Sequence, residues 1–382
     1  MTLEIRFVNK INEISVAQWQ MLRPYSSPFL SYEFLSALEE YACVGEDTGW
    51  LPQHLLVERN SQLVAFMPLY IKFNSYGEFV FDWEWAGAYQ RNGREYYPKL
   101  VSSIPYTPAT DHRILIAANE NPEPIYQLIA QYFKQLLPGS EFSGFHCLFL
   151  KDQEMTPFLQ QGYVRRLGCQ FHWKNQGYES FEHYLSFFVS RKRKNIKRER
   201  KSVSSGKFHF QILHGHEIEP DLWPLIYEFY RITFYKKSGY PTFTLEFFQK
   251  IGPLLKEKFL VNMVSFEGKF VACAIFYRDE KTLYGRHWGC FAEFQNLHFE
   301  TCFYQGLDYA IAHNLQNFEP GAQGEHKISR GFLPTKTWSV HYLAEPVFQS
   351  AIEDFGRREE QYMAQYINDL GSESPFRSPE ES

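Results

Sequence analysis

One pattern occurs twice in this chain. SQLVAFMPLY at 61–70 lines up without a gap on GKFVACAIFY at 268–277. The first copy closes HLLVERNSQLVAFMPLYIK, two apolar runs around a polar turn at Arg59–Gln62, which is the pattern of a β-hairpin. Upstream, SYEFL at 31–35 answers TLEFF at 244–248. Downstream, Tyr76-Gly77 followed by Trp83 answers Tyr284-Gly285 followed by Trp288. Three anchors in one order predict two copies of one fold, joined near residues 165–180. The plainer alternative is two unrelated helix-then-hairpin units, since such units are common. A chain of 382 residues has room for two cores. The expected division is 1–165, 166–370 and a Ser-, Glu- and Pro-rich tail, 371–382, without structure.

The local signals fill in a mixed α/β order. Residues 3–8 alternate like a strand, and Ser15–Leu22 reads as a short helix. Ser31 caps a helix reaching Tyr41, with Phe34, Leu35 and Leu38 inward. QRNGREYYPKL, from Gln90, should open a helix or loop. Strand, helix and strand follow at 113–118, 124–137 and 146–150. In the second half, 297–311 reads as a helix and Leu315–Glu319 as a strand. A strand around Trp338–His341 and a helix over 346–366 complete the pattern. A hydrophobic fraction of 44% with 18% aromatics excludes a disordered protein. Six scattered cysteines without a CxxC pair predict reduced thiols in a cytoplasmic protein. The sequence shows no signal-peptide pattern and no stretch long enough to span a bilayer.

The net charge of −5 gives no global reason to expect nucleic-acid binding, but one local run does. Ser180 should cap a helix running SFEHYLSFFVSRKRKNIKRERKSVSSG to Gly206, with Phe181, Tyr184, Leu185, Phe188 and Val189 as its apolar face. Between Arg191 and Lys201 stand eight basic residues and one acid, Glu199. Such a run is either a solvated face or a polyanion site. On the second reading Arg191, Lys192, Arg193, Lys194, Lys197 and Arg198 bind a donor or an RNA such as an acceptor stem through its phosphates.

The chemistry points to FEPGAQGEHKISRGF at 318–332. Its glycines allow sharp bends and close approach, and a strand-end carboxylate beside them is a common place for an acid or base. Glu319 and His326 are the candidate catalytic groups. Arg286, Trp288, His298, Glu300, Gln323, Lys327 and Arg330 are the candidate substrate-binding groups. No HExxH spacing points to a metal site, and the GxSxG elbow, the Walker loop and GxGxxG are all lacking.

SRKRKNIKRERK, GRHWG, LHFETCFYQG and FEPGAQGEHKISRGFLPTKTWSVH together resemble the FemAB-like peptidoglycan biosynthesis/recognition family of N-acyltransferases in the GNAT superfamily. The likeness runs from SSPFLSYEFL at 27 to about residue 355. It implies two tandem GNAT-like domains, each a mixed, mostly antiparallel sheet flanked by helices. It also implies transfer of an acyl or aminoacyl group to an amine, with a small molecule or cell-wall precursor as acceptor. No tightly bound cofactor is implied. The co-substrate is acyl-CoA, as in most GNAT enzymes, or aminoacyl-tRNA, as in Fem-type relatives. GNAT enzymes usually hold the CoA pyrophosphate on a Q/R-x-x-G-x-G/A turn. GCFAEFQNLHFE lacks that turn, and Gln90-Arg91-Asn92-Gly93-Arg94-Glu95 places a glutamate where a small residue belongs. The competing class is a non-catalytic recognition protein for a cell-wall precursor or RNA. On the enzyme reading Glu319 or His326 deprotonates the amine. Backbone N–H groups of Gly321–Gly324 or Arg330 hold the oxyanion. Lys327 and Arg286 hold an acidic substrate or donor phosphate.

Overall fold

The structure, a computed structural model, describes residues 2–22, 27–204, 206–237, 239–322 and 324–377. The chain forms two compact units. The first is built on Phe29–Cys169 with the N-terminal segment and Lys336–Tyr366, the second on Gln170–Thr335 with the end from Ile367. Lys336–Tyr366, which the sequence placed in the second domain, thus packs with the first.

The first unit opens with β1 (Leu3–Val8), α1 (Val16–Met21) and α2 (Tyr32–Glu40). Strands β2 (Trp50–Pro52), β3 (His54–Arg59), β4 (Gln62–Met67) and β5 (Tyr70–Lys72) follow. Then come α3 (Trp83–Arg91), β6 (Lys99–Ser102), β7 (Leu115–Ile116), α4 (Pro122–Leu136), β8 (Gly144–Leu148) and α5 (Asp152–Gln160). β1, β3, β4 and β7 form one sheet, and β8, β6, β5 and β2 lie side by side in another. On α4, Ile125, Ile129 and Phe133 recur at the spacing of one helix face and are fully buried against Leu55, Val57, Ala65 and Phe145. Burying each such side chain contributes about 2 kcal/mol. This stripe fixes which side of the sheet the helix covers.

The second unit contains the end of β9 (Val164–Lys174), α6 (Phe181–Ser186), α7 (Ser190–Val203), β10 (Phe208–His214), α8 (Trp223–Lys236) and α9 (Leu245–Leu255). Next come β11 (Phe259–Phe266), β12 (Lys269–Arg278), β13 (Thr282–Cys290), a helix α10 over 297–312 and β14 (Asn317–Glu319). β15 (Leu333–Leu343) and α11 (Pro346–Ser372) finish the chain. β10 to β14 and β9 lie in that order in a mostly antiparallel sheet, with β13–β14 its parallel pair.

The repeat holds to the level of single residues. Leu3 pairs with Arg59 and Val8 with His54 in the first unit; Phe208 pairs with Phe266 and Leu213 with Val261 in the second. The register of β3 on β4 slips between Val57 and Glu58, and that of β11 on β12 between Val264 and Ser265, the aligned positions. The two hairpin turns also match. Asn60 and Ser61 have positive φ, as do Glu267 and Gly268. In SYEFL and TLEFF, Ser31 and Thr244 each accept from the backbone N–H three residues on and cap α2 and α9. The third anchor fails, because Tyr284-Gly285 and Trp288 lie on β13 whereas Tyr76-Gly77 sits in the connection before α3, at whose start Trp83 stands.

Three further expectations are corrected. The segment from Gln90 ends α3 rather than opening a helix, with Asn92 as its C-cap. The helix expected from Ser180 to Gly206 is two helices. Phe188 is buried and bridges Phe376 as a strand would, and the Val189 N–H donates to Pro375 O at 3.0 Å, which takes both residues out of the helix. The tail expected to be unstructured from Gly371 therefore packs as far as Arg377, whose N–H donates to Phe187 O at 2.9 Å. Residues 378–382 lie outside the described part.

Candidate active site

In the second unit β13 pairs with β14 only over Thr282–Tyr284 against Asn317–Glu319. β13 then runs on to Cys290, while β14 stops at Glu319. The carboxylate thus stands where two parallel strands part. Gly285 occupies that mouth. A Cβ there would come within 3.3 Å of Pro320 Cα, so a side chain would press on the loop as it leaves the strand.

Glu319 is partly buried, and its Oε1 lies 3.9 Å from His172 Nδ1 on β9, beyond hydrogen-bond range. His172 Nε2 meets Gln170 Oε1 at 3.0 Å. Burial, then the charges of Lys327 and Lys174, pull the imidazole down to about 3, so it is neutral at pH 7. Arg286, one residue past Gly285, is pushed down to about 10 by burial against the opposing pull of Glu319. Lys327 folds back as the sequence suggested. It is buried, and its Nζ donates to Gly321 O at 2.8 Å. Burial brings its ammonium down to about 8, with Cys302 opposing and Arg286 adding. That charge in turn helps depress His172, His298 and His326. His298 falls to about 4, chiefly through burial, and crosses the Trp288 ring edge-on at 5.4 Å. His326 is exposed, lies 5.9 Å from both the Phe299 and Phe303 rings, and is depressed by burial and then by Lys327 and Arg330.

Two candidate binding groups have other work. Arg330 stacks on Phe299 at 3.5 Å and donates to Glu199 Oε1 at 2.8 Å, to Tyr304 Oη at 3.0 Å and to His326 O at 2.8 Å. With these partners the guanidinium is directed at α7 and α10 rather than at an oxyanion. Glu300 is buried and accepts from Arg200 at 2.9 Å and from Gln305 at 2.8 Å. Both residues form a frame that ties α7 to α10. The frame coincides with a π turn, Glu300–Tyr304, inside α10. Gly331 ends the 3₁₀ turn Glu325–Arg330 at φ +87, and a Cβ there would stand 1.8 Å from the Tyr184 hydroxyl. Gln323 lies outside the described residues.

The frame also orients α7. Its single acid, Glu199, turns inward to Arg330, and Arg200 turns inward to Glu300 and Asp308. Arg191, Lys194, Lys197, Arg198 and Lys201 are exposed. The spacing 191–194–198–201 is that of one helix stripe. Lys192 and Arg193 are half-buried beside it, and Lys197 meets Glu182 at 2.7 Å on the surface. A cavity of about 550 Å³ opens at the turn from β13 into α10, lined among others by Lys236, Trp288, Glu293, Phe294 and His298. Among the described residues, no three His, Cys, Asp or Glu side chains gather as metal ligands, and no helix is long and apolar enough to cross a membrane.

Sequence reasoning found Glu319, Lys327 and the α7 run but missed His172. Its signal was the alternation of CQFHWK, which puts Gln170 and His172 on one face of a strand. It also missed the ties of Glu199 and Tyr304, which no local pattern reveals.

Two GNAT-like α/β units, with a carboxylate at the parting of two parallel strands in the second, define an acyltransferase-type fold. A profile of the FemAB-like family, described as peptidoglycan biosynthesis/recognition, matches residues 10–378. The chain belongs to that family. Among solved structures it is similar to L-PGS from Bacillus licheniformis, at 11% identity and TM-score 0.50, covering 84% of this chain and 95% of that one. FemX is matched at 12% identity and TM-score 0.48, covering 80% of this chain and 91% of that chain. A tandem GNAT protein from the clavulanic acid biosynthesis pathway is matched at 9% identity and TM-score 0.45, covering 90% and 99%. At these identities the likeness concerns the fold. No curated protein matches the sequence.

Proposed function

We propose that the protein is an aminoacyltransferase. It moves the aminoacyl group of an aminoacyl-tRNA onto the amine of a cell-wall precursor, at the parting of β13 and β14. The observation that carries the choice of donor is the outward face of α7. It offers Arg191, Lys194, Lys197, Arg198 and Lys201 to solvent, while the one acid of the run is turned inward. Like charges at these spacings repel unless a polyanion meets them. The helix is fastened by Glu199 and Arg200 to the elements around the site, so a strand held along it has its end near the reaction.

Two features weigh against acyl-CoA. Glu293 is exposed in the glycine-free turn that leads into α10, where a pyrophosphate would need helix N–H groups and no carboxylate. In the first unit the Gln90–Gly93 segment closes a helix instead of opening one.

The chemistry is an exchange of an ester for an amide. The amine nitrogen attacks the ester carbonyl carbon, a C–N bond forms, and the C–O bond to the tRNA ribose breaks. Glu319 takes the proton from the attacking nitrogen, and the ribose oxygen leaves as a hydroxyl. His172, neutral and 3.9 Å away, keeps a polar but uncharged wall beside that carboxylate. Lys327, close to the Gly321 carbonyl, supplies a positive charge for the oxyanion. The cavity at Trp288 and His298 has the size of an amino-acid side chain with its neighbours and suits the transferred group.

The test offers the protein charged tRNA or acyl-CoA with an amine acceptor and follows release of uncharged tRNA or of CoA. Acceptor-dependent release of uncharged tRNA supports the reading. Release of CoA instead moves the donor assignment. Stabilisation by ligand without any turnover favours a recognition protein.

A further inference from the structure

In the first unit, residues 73–83 are built inside out. Phe73, Tyr76, Phe79, Phe81 and Trp83 are between 39% and 74% exposed, while Ser75, Glu78 and Asp82 between them are buried. Left to the hydrophobic effect, such a segment would turn the other way.

The inversion has a visible cause. Lys99, fully buried on β6, donates to Glu78 Oε2 at 2.9 Å, to Ser75 Oγ at 3.0 Å and to Asp82. Ser75 Oγ and the Tyr96 hydroxyl each donate to Asp82 at 2.6 Å. The backbone between is pinned as well. Tyr76 O accepts from Trp50 Nε1 at 3.0 Å and from Lys72 Nζ at 3.2 Å, and its N–H donates to Asn74 Oδ1 at 3.0 Å. A buried ammonium between two carboxylates is no cheaper than an apolar core of the same volume. Its effect here is to hold five rings outward on a fixed backbone. Phe81 and Trp83 form the densest part, with ring centroids 4.9 Å apart.

We propose that this segment is a docking platform for a glycan chain, a neutral polyhydroxylated ligand whose sugar rings lay their apolar faces on the aromatic rings. Charge selects the occupant. Residues 73–90 contain no Lys or Arg, and exposed Glu84 directly follows Trp83. A nucleic acid or an anionic bilayer would therefore meet a carboxylate without a compensating cation. Sugar hydroxyls instead find an acceptor in Glu84 and polar ring tips in Tyr76 and Trp83. The inference names the carrier of the acceptor amine and in that respect rests on the proposed transfer, although binding at the platform involves no turnover.

The test titrates the full-length protein with a β-1,4-linked N-acetylglucosamine tetramer, read by calorimetry and tryptophan fluorescence. Phe81→Ala and Trp83→Ala remove exposed rings, and unchanged melting of both variants checks their fold. The expected result is saturable binding by the wild type, weakened at least tenfold in each variant. No binding by the wild type, or equal binding by both variants, overturns the proposal. Co-sedimentation with phosphatidylcholine vesicles, or dimerisation with rising concentration, lost in the same variants without glycan binding, assigns the platform to a bilayer or a second copy and also overturns it. Because the titration needs neither donor nor catalysis, its result stands apart from that of the transfer assay.

Discussion

Lys327 and His326 are neighbours in sequence with different surroundings, and they test the site in different ways. Lys327 is buried and sits near 8, so it loses its charge in the upper physiological range. If its ammonium holds the donor ester in the transition state, the rate should fall as pH rises through about 8. Lys327→Met should remove that fall and lower the rate at pH 7. A pH–rate profile unchanged in the variant would exclude Lys327 from the reaction. His326 is exposed against two phenylalanines and pulled below its ordinary range. His326→Ala should lower turnover about a hundredfold if the imidazole shares the proton transfer, and much less if it only orients substrate. Steady-state rates separate the two. The sequence made Glu319 and Lys327 legible because a predicted strand ended beside glycines. It misread Arg330 and Glu300, because their partners, Glu199 and Arg200, lie a hundred residues and more away.

At the scale of elements, α7 is the part whose two faces do different things. Replacing Arg191, Lys194, Arg198 and Lys201 with glutamine should weaken tRNA binding and lower the salt slope by about 3, since each phosphate contact releases a counterion. Nitrocellulose binding at two salt concentrations reads both. Equal affinity and equal slope would reduce the stripe to a solvated face. The inner face predicts stability instead. Glu199→Gln leaves the Arg330 guanidinium, nearly buried, without its carboxylate, and should cost about 3 kcal/mol in urea unfolding. The hairpins and caps were legible because turn residues, alternation and Ser/Thr caps act locally. The break between α6 and α7 was not, because Phe188 and Val189 leave the helix to meet Phe376 and Pro375, nearly two hundred residues on.

The molecule as a whole buries histidines in neutral form. Burial pulls His146, His172 and His287 to about 3, His298 to about 4 and His341 well below its ordinary value. In the unfolded chain each takes a proton near 6.5. Below that pH the unfolded state binds more protons, so the stability from keeping these rings neutral is complete above 6.5 and is lost as pH falls toward the folded values. Glu78, raised to about 7 by burial, runs the other way and loses its share as pH rises from its ordinary range to 7. The histidines outnumber it, so urea midpoints should drop between pH 6.5 and 4.5, each histidine contributing about 1.4 kcal/mol per pH unit. A flat profile would mean that these rings are not held neutral. The two-unit plan was legible from the repeat alone. The return of Lys336–Tyr366 to the first unit was not, because that packing is decided by partners far away in sequence.

The central claim, aminoacyl transfer with Glu319 as base, is tested most directly by one substitution. Glu319→Gln keeps the shape of the side chain and removes its basicity. Wild type and variant, equal in melting temperature, are given tRNA charged with a radiolabelled amino acid and an amine-bearing cell-wall precursor. The predicted result is label appearing in amide linkage on the acceptor with the wild type, at least about a hundredfold more slowly with the variant, and equal tRNA binding by both. Transfer at the same rate by both proteins, or tRNA binding with no transfer by the wild type, would contradict it.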